Sequence, residues 1–319
     1  FFKNKKILVT GGTGMIGRSV VDLLRKTNCK ITTVSLDKIN LKNTKHIIGD
    51  LTDFKFCKKI TKNIDCVFHI AGIKGSVDVT IKKPASFFVP LLMFNTNILE
   101  ASRINKVKRL VYVSSIGAYK VGNIFRETNG FDGEPMDRYP GWAKRMAELQ
   151  IKSYVEQYNL KNYSIVRPCN VYGPGDNFDP KNAMVIPSLM YKILNSKGKP
   201  IEIWGDGSAI RDFAYTDDVA YGIIQAMYYG TKNRFVNLAS GKGYSIKELV
   251  RTLNSFINFK YKFQPKKASG FSKRVMDISL AKKLINYNPK TSLRDGLQKT
   301  WEWFRINKYE FKNKKNYFK

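Results

Sequence analysis

Apolar positions along the first half of the chain follow two spacings, those of short strands and of amphipathic helices. The run KILVT at Lys6–Thr10 predicts a strand, and one face of a following helix is formed by Ile16, Val20, Leu23 and Leu24. Further strands are predicted at Lys30–Ser35, Lys45–Ile48, 65–70, 108–114 and 162–167. A long helix is predicted between the last two strands, and its apolar positions are Trp142, Met146, Leu149 and Val155. Six strands with helices between them predict an α/β fold centred on a doubly wound parallel sheet.

The pattern changes after Tyr172. Residues 173–177 have loop composition, and the stretch that follows has irregular periodicity. A helix is predicted at 216–228, a strand at 234–239, and a capping box of Ser245 and Glu248 predicts a helix to about Ile257. We therefore expect one domain at 1–174, joined by 212–240, and a smaller, irregular C-terminal domain at 175–211 and 241–319. The basic end at 308–319 is expected to be solvated or frayed.

Composition excludes several classes of protein. The 319 residues are 43% hydrophobic and 25% charged, as in an ordinary globular chain, and no apolar run is long enough to span a membrane. No signal peptide is seen before the first strand. Four cysteines without CxxC spacing favour a reducing cytoplasm, and two histidines leave little room for a zinc or Ser-His-Asp hydrolase. A cytoplasmic protein with no metal is expected.

The formal net charge of +31 suggests anionic partners. The lysines are scattered along the whole chain, whereas nucleic-acid binders cluster them on one element with interleaved aromatic residues. We expect no specific nucleic-acid partner, since a diffuse basic surface attracts polyanions weakly. A single-strand binder remains an alternative that steep salt dependence would favour.

The strongest local signal is a glycine-rich loop after the first strand. Gly11, Gly14 and Gly17 open the following helix, where free backbone N–H groups suit the diphosphate of a dinucleotide. Asp37 ends the second strand 20 residues later, and a carboxylate there accepts bonds from ribose hydroxyls and repels a 2′-phosphate. NAD is therefore favoured over NADP, although Lys38 opposes that choice. The alternative for Asp37 is a turn aspartate.

Further motifs resemble those of a known family, the extended short-chain dehydrogenase/reductases that act on sugar nucleotides, in their NAD-dependent epimerase/dehydratase group. The G-x-x-G-x-x-G spacing is typical of that group, and the segment DNFDP at 176–180 is most similar to its GDP-fucose synthase branch. The motifs lie at 49–53, 69–74, 113–115, 141–148, 167–174, 204–207, 211–213, 217–220 and 273–277. The resemblance covers nearly the whole chain and implies a Rossmann-type sheet with a substrate domain.

The resemblance also implies the roles of individual residues. The NAD site would comprise Gly11, Thr13, Gly14, Met15, Ile16, Gly17, Asp37, Asp50, Leu51, Ala71, Gly72, Lys74, Ser114, Lys144 and Pro168. Ser115 would hydrogen-bond the reacting sugar oxygen, and Lys144 would hold the nicotinamide ribose and lower the pKa of a nearby phenol. The nucleotide sugar would be bound by Asn170, Asn177, Val185, Trp204, Arg211, Lys273 and Arg274.

This sequence departs from the family pattern at the catalytic base. The family has a tyrosine four residues before the lysine, but that position is Pro140, and Tyr139 lies five residues before. Either Tyr139 reaches the site because Pro140 alters the helix start, or the base has moved or been lost. Gly117 and Met184 replace the cysteine and histidine of the C3/C5 epimerases, and Ile116 and Gly117 replace the acidic pair of the dehydratases.

Hydride transfer at C4 of a nucleotide-linked sugar is the activity that these departures leave, with NAD as cofactor and a GDP-sugar favoured. A C4 dehydrogenase or reductase is predicted; a 4-epimerase and an inactive dinucleotide-binding protein are the alternatives. The family also implies a homodimer that pairs helices at 85–103 and 142–158 in a four-helix bundle, to which the apolar residues Phe87, Phe88, Leu91, Leu92 and Phe94 are expected to contribute.

Overall fold

A computed structural model describes residues 1–73, 77–267 and 270–314 of the chain. Its strands are β1 (Lys6–Thr10), β2 (Lys30–Ser35), β3 (Lys45–Ile48), β4 (Cys66–His69), β5 (Arg109–Val113), β6 (Ile124–Phe125), β7 (Tyr163–Pro168), β8 (Asn170–Tyr172), β9 (Ile201–Trp204), β10 (Ile210–Tyr215), β11 (Phe235–Leu238), β12 (Gly243–Ser245), β13 (Tyr261–Gln264) and β14 (Lys273–Met276). Its helices are α1 (Met15–Leu24), α2 (Phe54–Thr61), α3 (Val77–Lys82), α4 (Pro84–Ile104), α5 (Arg138–Tyr158), α6 (Val185–Asn195), α7 (Thr216–Tyr229), α8 (Ile246–Ile257), α9 (Ser279–Ile285) and α10 (Leu293–Ile306).

The main sheet is parallel and doubly wound, as the sequence predicts. Its described strands run in the order β11-β7-β5-β4-β1-β2-β3, and each neighbouring pair is parallel. The strand order reverses between β1 and β4, so the chain leaves these two strands in opposite directions and opens a crevice at their carboxyl ends. Ligands of such sheets bind at this switch point.

Local periodicity located most elements of the main sheet. Strands β1, β2 and β3 have the predicted bounds, and the predicted strands at 65–70, 108–114 and 162–167 match β4, β5 and β7 to within a residue at each end. The capping box of Ser245 and Glu248 is present at the start of α8. The stretch after residue 177 has irregular periodicity, so the sequence does not predict α6, β9 and β10, which the structure contains there.

Two hydrophobic cores lie on either side of the crevice. The larger core surrounds the main sheet, and the smaller one is built around α6, α8 and α10. Helix α9 packs on the larger core, whereas the predicted boundary at 241 assigns it to the smaller domain. Tyr287, just after α9, explains this placement, because its hydroxyl donates to the carbonyl of Ala239 at 3.0 Å and its ring packs closely against Gly222 of α7.

The C-terminal segment reaches the crevice through Glu310 and Lys314, which corrects the prediction of a solvated end at these two residues, whereas Lys308, Tyr309 and Lys312 are exposed as predicted. Glu310 pairs with Arg18 of α1 at 2.7 Å. The amine of Lys314 donates to the carbonyl of Gly175 at 2.6 Å. The C-terminal segment therefore lies at the crevice. Within the described ranges, every helix is too short or too polar to cross a membrane.

Candidate active site

A cavity of about 920 Å³ occupies the crevice between the two cores. The predicted residues that line it are Gly11, Thr13, Gly14, Met15, Ile16, Gly17, Asp37, Asp50, Leu51, Ala71, Gly72, Ser114, Ser115, Tyr139, Lys144, Pro168, Asn170, Asn177, Val185 and Arg274. Lys74, predicted as a phosphate contact, lies outside the described residues. Most of the predicted site residues are thus brought to one cavity, although they come from distant parts of the chain.

The glycine-rich loop has the geometry that an anion requires. Gly11 has a φ of +68°, and a Cβ on it would lie 2.8 Å from the backbone of Ala71. A Cβ on Gly17 would overlap the carbonyl oxygen of Gly11, so α1 must pack directly on the turn. Gly14 is the N-cap of α1 and supplies no side chain to the free N–H groups. A diphosphate fits there, because those groups and the helix dipole face the cavity.

Asp37 and Asp50 lie at the carboxyl end of β2 and after β3. The carboxylate of Asp37 accepts a hydrogen bond from the hydroxyl of Thr13 at 2.6 Å, and its backbone N–H donates to Ser35. Asp50 accepts a bond from the backbone N–H of Thr52 at 2.9 Å. Both carboxylates line the part of the cavity beside the glycine-rich loop, where an adenosine would lie if the diphosphate occupied the start of α1.

Lys144 and Ser115 lie at the other end of the cavity. The Lys144 amine donates to the carbonyl of Val113 at 2.8 Å, and burial lowers the pKa of this lysine to about 8, against the opposing charge of Glu148. The Ser115 hydroxyl accepts a bond from the backbone N–H of Gly117 at 3.0 Å and keeps its own proton for a ligand oxygen. These two groups are placed to hold a ribose and a substrate oxygen, respectively.

A buried ion pair fixes this end of the cavity. Glu148 of α5 and Arg167 of β7 are fully buried and pair through two bonds of 2.8 and 2.5 Å. Ser114, predicted as a cofactor contact, donates its hydroxyl to the same carboxylate. The pair joins α5 to the sheet one helical turn after Lys144, and this contact holds the lysine in place.

Tyr139 lines the cavity but does not reach the other predicted catalytic groups. Its side chain is 38% exposed, and its ring packs on Phe88 of α4 with centroids 5.9 Å apart. Among the described residues, neither Lys144 nor Ser115 hydrogen-bonds its hydroxyl. Pro140 is accommodated in the first turn of α5, where a missing N–H costs nothing.

Asp137 is a cavity residue that the sequence reasoning missed. It precedes α5, and its carboxylate lies over Gly117, where an added Cβ would overlap its Oδ2. Burial raises the pKa of this carboxyl, and the charge of Arg274 acts against that rise. A signal was present in the sequence, because Asp137 stands seven residues, about two helical turns, before Lys144.

The predicted substrate residues divide into two groups. Arg274 lines the cavity, packs over the ring of Phe271 at 4.1 Å, and its Nε has no hydrogen-bond partner among the described residues. Lys273, Arg211 and Trp204 are not among the residues that line the cavity. Arg211 is paired in register with Arg274, and burial and that neighbour lower its pKa to about 10. Trp204 is 60% exposed beside Lys267.

Further cavity residues that the sequence reasoning did not assign to the site come from the smaller domain and the C-terminal segment. They include Asp176, Asn182, Met184, Phe271 and Lys314. Lys314 has its pKa lowered to about 8 by burial and by Arg18, against the charges of Asp176, Glu310 and Asp37. Asp176 belongs to the DNFDP segment and Met184 stands at the position of the family histidine, but no motif marks Asn182, Phe271 or Lys314, because their neighbours in space are distant in sequence.

Comparisons with known proteins agree with this geometry. The model of the NAD dependent epimerase/dehydratase family matches residues 7–239. GDP-L-colitose synthase of Yersinia pseudotuberculosis is 28% identical over 309 residues, 94% of this chain and 97% of that protein. The structure of UDP-glucose 4-epimerase with UDP-glucose from Thermotoga maritima has a TM-score of 0.85 and 28% identity, covering 95% of this chain and 99% of that one. The GDP-L-fucose synthetase of Naegleria fowleri bound to NADP has a TM-score of 0.84 and 26% identity, covering 97% and 95%.

Proposed function

The chain belongs to the NAD-dependent epimerase/dehydratase family, and from that premise we propose that it transfers a hydride to or from C4 of a nucleotide-linked sugar. The observation that carries the proposal is the single cavity that joins the glycine-rich loop to Ser115, Lys144 and Arg274. One end fits a dinucleotide, and the other offers a hydroxyl, an amine and a guanidinium to a substrate. Sugar-nucleotide chemistry is the activity of the relatives that the chain resembles along its whole length.

The nicotinamide dinucleotide, when bound, supplies the acceptor or donor of the hydride. Backbone N–H groups at the start of α1 would hold its diphosphate, and Lys144 would hold the ribose of its nicotinamide. Ser115 would donate its hydroxyl to the sugar oxygen at C4, which fixes the carbon that reacts. The proton of that oxygen needs an acceptor, and the sequence predicts Tyr139 for that role.

We propose NAD as the cofactor and a GDP-sugar as the substrate. Asp37 supports NAD, since its carboxylate lies in the cavity at the end of β2 and would repel a 2′-phosphate. A structural relative is described as bound to NADP, so the two cofactors are to be compared directly. The DNFDP segment and the GDP-L-colitose synthase relative support GDP.

The near-ultraviolet absorbance band of reduced nicotinamide tests the proposal. Purified protein is mixed with NAD or NADP, and GDP-, UDP-, dTDP- and CDP-sugars are added in turn. A band that rises with a GDP-sugar and NAD is the expected result for a dehydrogenase, and a fall of the band from the reduced cofactor with a 4-keto sugar is expected for a reductase.

Product analysis of the same mixtures separates the remaining functions. A product inverted at C4 without net change of the band identifies a 4-epimerase. Dinucleotide binding without turnover of any sugar nucleotide contradicts the proposal and favours an inactive dinucleotide-binding protein. We also propose that the protein is a cytoplasmic homodimer.

A further inference from the structure

Asp137 occupies the N-cap position of α5 but does not cap the helix. An aspartate at this position ordinarily accepts a hydrogen bond from a backbone N–H of the first turn. The side chain of Asp137 makes no such bond, and none of the hydrogen bonds or ion pairs among the described residues reaches its carboxylate. It turns toward Gly117 and into the cavity instead. A carboxylate on a cavity wall that has no hydrogen-bond partner in the described part of the chain is available to a ligand.

Helical geometry places Asp137 on the same side of α5 as Lys144. Seven residues separate them, which is close to two turns of 3.6 residues. Tyr139 precedes Lys144 by five residues and so projects from a different side, where its ring meets Phe88. Pro140, one turn before Lys144, carries no group that accepts a proton. The proton-accepting side chain that shares the face of Lys144 is therefore a carboxylate rather than a phenol.

The backbone holds Asp137 beside Ser115. The N–H of Asp137 donates to the carbonyl of Gly117 at 3.2 Å, and the N–H of Gly141 donates to the carbonyl of Asp137 at 2.6 Å. The N–H of Gly117 donates to the Ser115 hydroxyl. Arg145 adds a third restraint, since its guanidinium donates to the carbonyls of Ala118, Gly133 and Asp132. The carboxylate and the serine hydroxyl thus lie on one restrained wall.

The electrostatic surroundings of Asp137 suit a proton acceptor. Burial raises the pKa of the carboxyl, and Arg274 of β14 opposes that rise. The loop at 114–118 carries no titratable side chain, and α5 itself contributes Arg138, Tyr139 and Lys144 to this end. A carboxyl group whose pKa moves toward neutrality exchanges a proton more readily near physiological pH than an ordinary aspartate does.

We infer that Asp137, in place of Tyr139, accepts the proton of the sugar C4 hydroxyl. In oxidation the O–H bond breaks, its proton passes to a carboxylate oxygen of Asp137, and the C4 hydride leaves for the nicotinamide as the C–O bond becomes a carbonyl. In reduction the carboxylic acid returns the proton to the oxygen. The inference rests on the proposed function, because the nicotinamide dinucleotide is the oxidant.

Three variants test the inference. Asp137→Asn keeps the shape of the side chain and an N-cap residue of equal quality, so the fold is expected to survive, as a thermal melt will show. We expect its turnover to fall by about 10²- to 10⁴-fold, the usual contribution of general acid–base catalysis. Tyr139→Phe and the matched control Glu134→Gln, an exposed carboxylate of the same loop, are expected to retain most of the activity.

Two measurements exclude a merely structural role. Formate is expected to restore turnover to Asp137→Ala. The acid limb of the pH profile for oxidation reports ionisation of Asp137, and it is expected to be absent in Asp137→Asn. Independently of turnover, carbon NMR of aspartate-labelled protein should show several carboxyls with a raised pKa, those of Asp22 and Asp212 among them, and the Asp137 resonance is the one that Asp137→Asn removes.

The outcomes are distinct. If the wild type is active, Tyr139→Phe is inactive and Asp137→Asn turns over, the tyrosine is the base and the inference is overturned. A wild type that is inactive with every sugar nucleotide overturns the proposed function, and the inference with it.

Discussion

Arg274 and Lys273 are neighbours in sequence, but only one of them faces the cavity. Successive side chains of a strand point to opposite faces. The family resemblance predicts that both residues bind the nucleotide sugar, whereas β14 presents only Arg274 to the cavity, stacked on Phe271. An arginine with an unsatisfied Nε suits the two oxygens of a phosphate, since its planar fork donates two parallel bonds. The register of this short strand thus decides which of the two side chains faces the cavity, and we propose that Arg274 binds the diphosphate of the substrate.

Replacing Arg274 by glutamine is expected to raise the KM for the sugar nucleotide by about 10- to 100-fold, because a charge-assisted bond contributes about 1.5–3 kcal/mol. The same change should raise the pKa of Asp137 further, since the guanidinium favours the ionised carboxylate. The acid limb for oxidation then moves to higher pH. Steady-state kinetics across pH measures both effects. Lys273→Gln is the matched control, and an equal rise of KM in that variant would assign the phosphate to Lys273.

The C-terminal segment 310–314 completes the dinucleotide end of the cavity. Arg18 of α1 holds Glu310 through its guanidinium and donates its Nε to the carbonyl of Thr13 at 2.8 Å, so the segment is fixed to the glycine-rich loop itself. Lys314 then brings its amine to the cavity wall. A cation at this point would favour the phosphates of a bound dinucleotide.

Replacing Lys314 by alanine is therefore expected to weaken dinucleotide binding by about 3- to 10-fold, a typical effect for one partly exposed charge near an anion. Glu310→Gln should act in the same direction, because it loosens the segment that carries Lys314. Calorimetric titration with NAD measures the affinity. Lys308→Ala removes an exposed lysine of the same region and serves as control; equal affinity in all three variants would show that the segment is no part of the site.

The separation in sequence between interacting residues explains which features the sequence predicts and which it does not. Strands β1 to β3 and the glycine-rich turn depend on the pattern and backbone needs of a few neighbouring residues, so they were located to the residue. Lys314 meets Gly175 across 139 positions, and no local pattern records that contact. Asp137 is missed for another reason, because an aspartate directly before a helix is ordinarily interpreted as an N-cap. The missing cap bond became visible only in the structure.

The net charge of +31 is partly concentrated around the cavity when the whole molecule is considered. Lys144, Arg274 and Lys314 converge on one cavity, so part of the basic excess surrounds the space proposed for a dinucleotide and a sugar nucleotide. The rest forms a diffuse field that raises the encounter rate of any anionic ligand and is screened by salt. Scattered lysines and a small anionic substrate are therefore compatible without a nucleic-acid partner.

The surface of α4 and α5 carries an apolar face, though not the one expected from the sequence. Phe87, Leu91 and Phe94 pack into the chain's own core, so they are unavailable to a partner. Other apolar side chains of the two helices remain between 38% and 49% exposed: Val89, Met93, Met146 and Leu149. The two helices pack on each other, and we propose that these residues form one surface that binds a second copy.

A homodimer that buries this face is expected to have twice the 36.6 kDa mass of the chain in light scattering at micromolar concentration. Leu149→Glu should yield a folded monomer, because a dimer would have to bury two new charges without partners. Ile306→Glu, at an 83% exposed position of α10 outside the face, is the control and should stay dimeric. Since α5 also carries Lys144 and begins directly after Asp137, loss of the partner is expected to loosen the positions of these two residues and lower turnover together with mass. A wild type that is monomeric at micromolar concentration would contradict the bundle, and it would leave the proposed chemistry to a single chain.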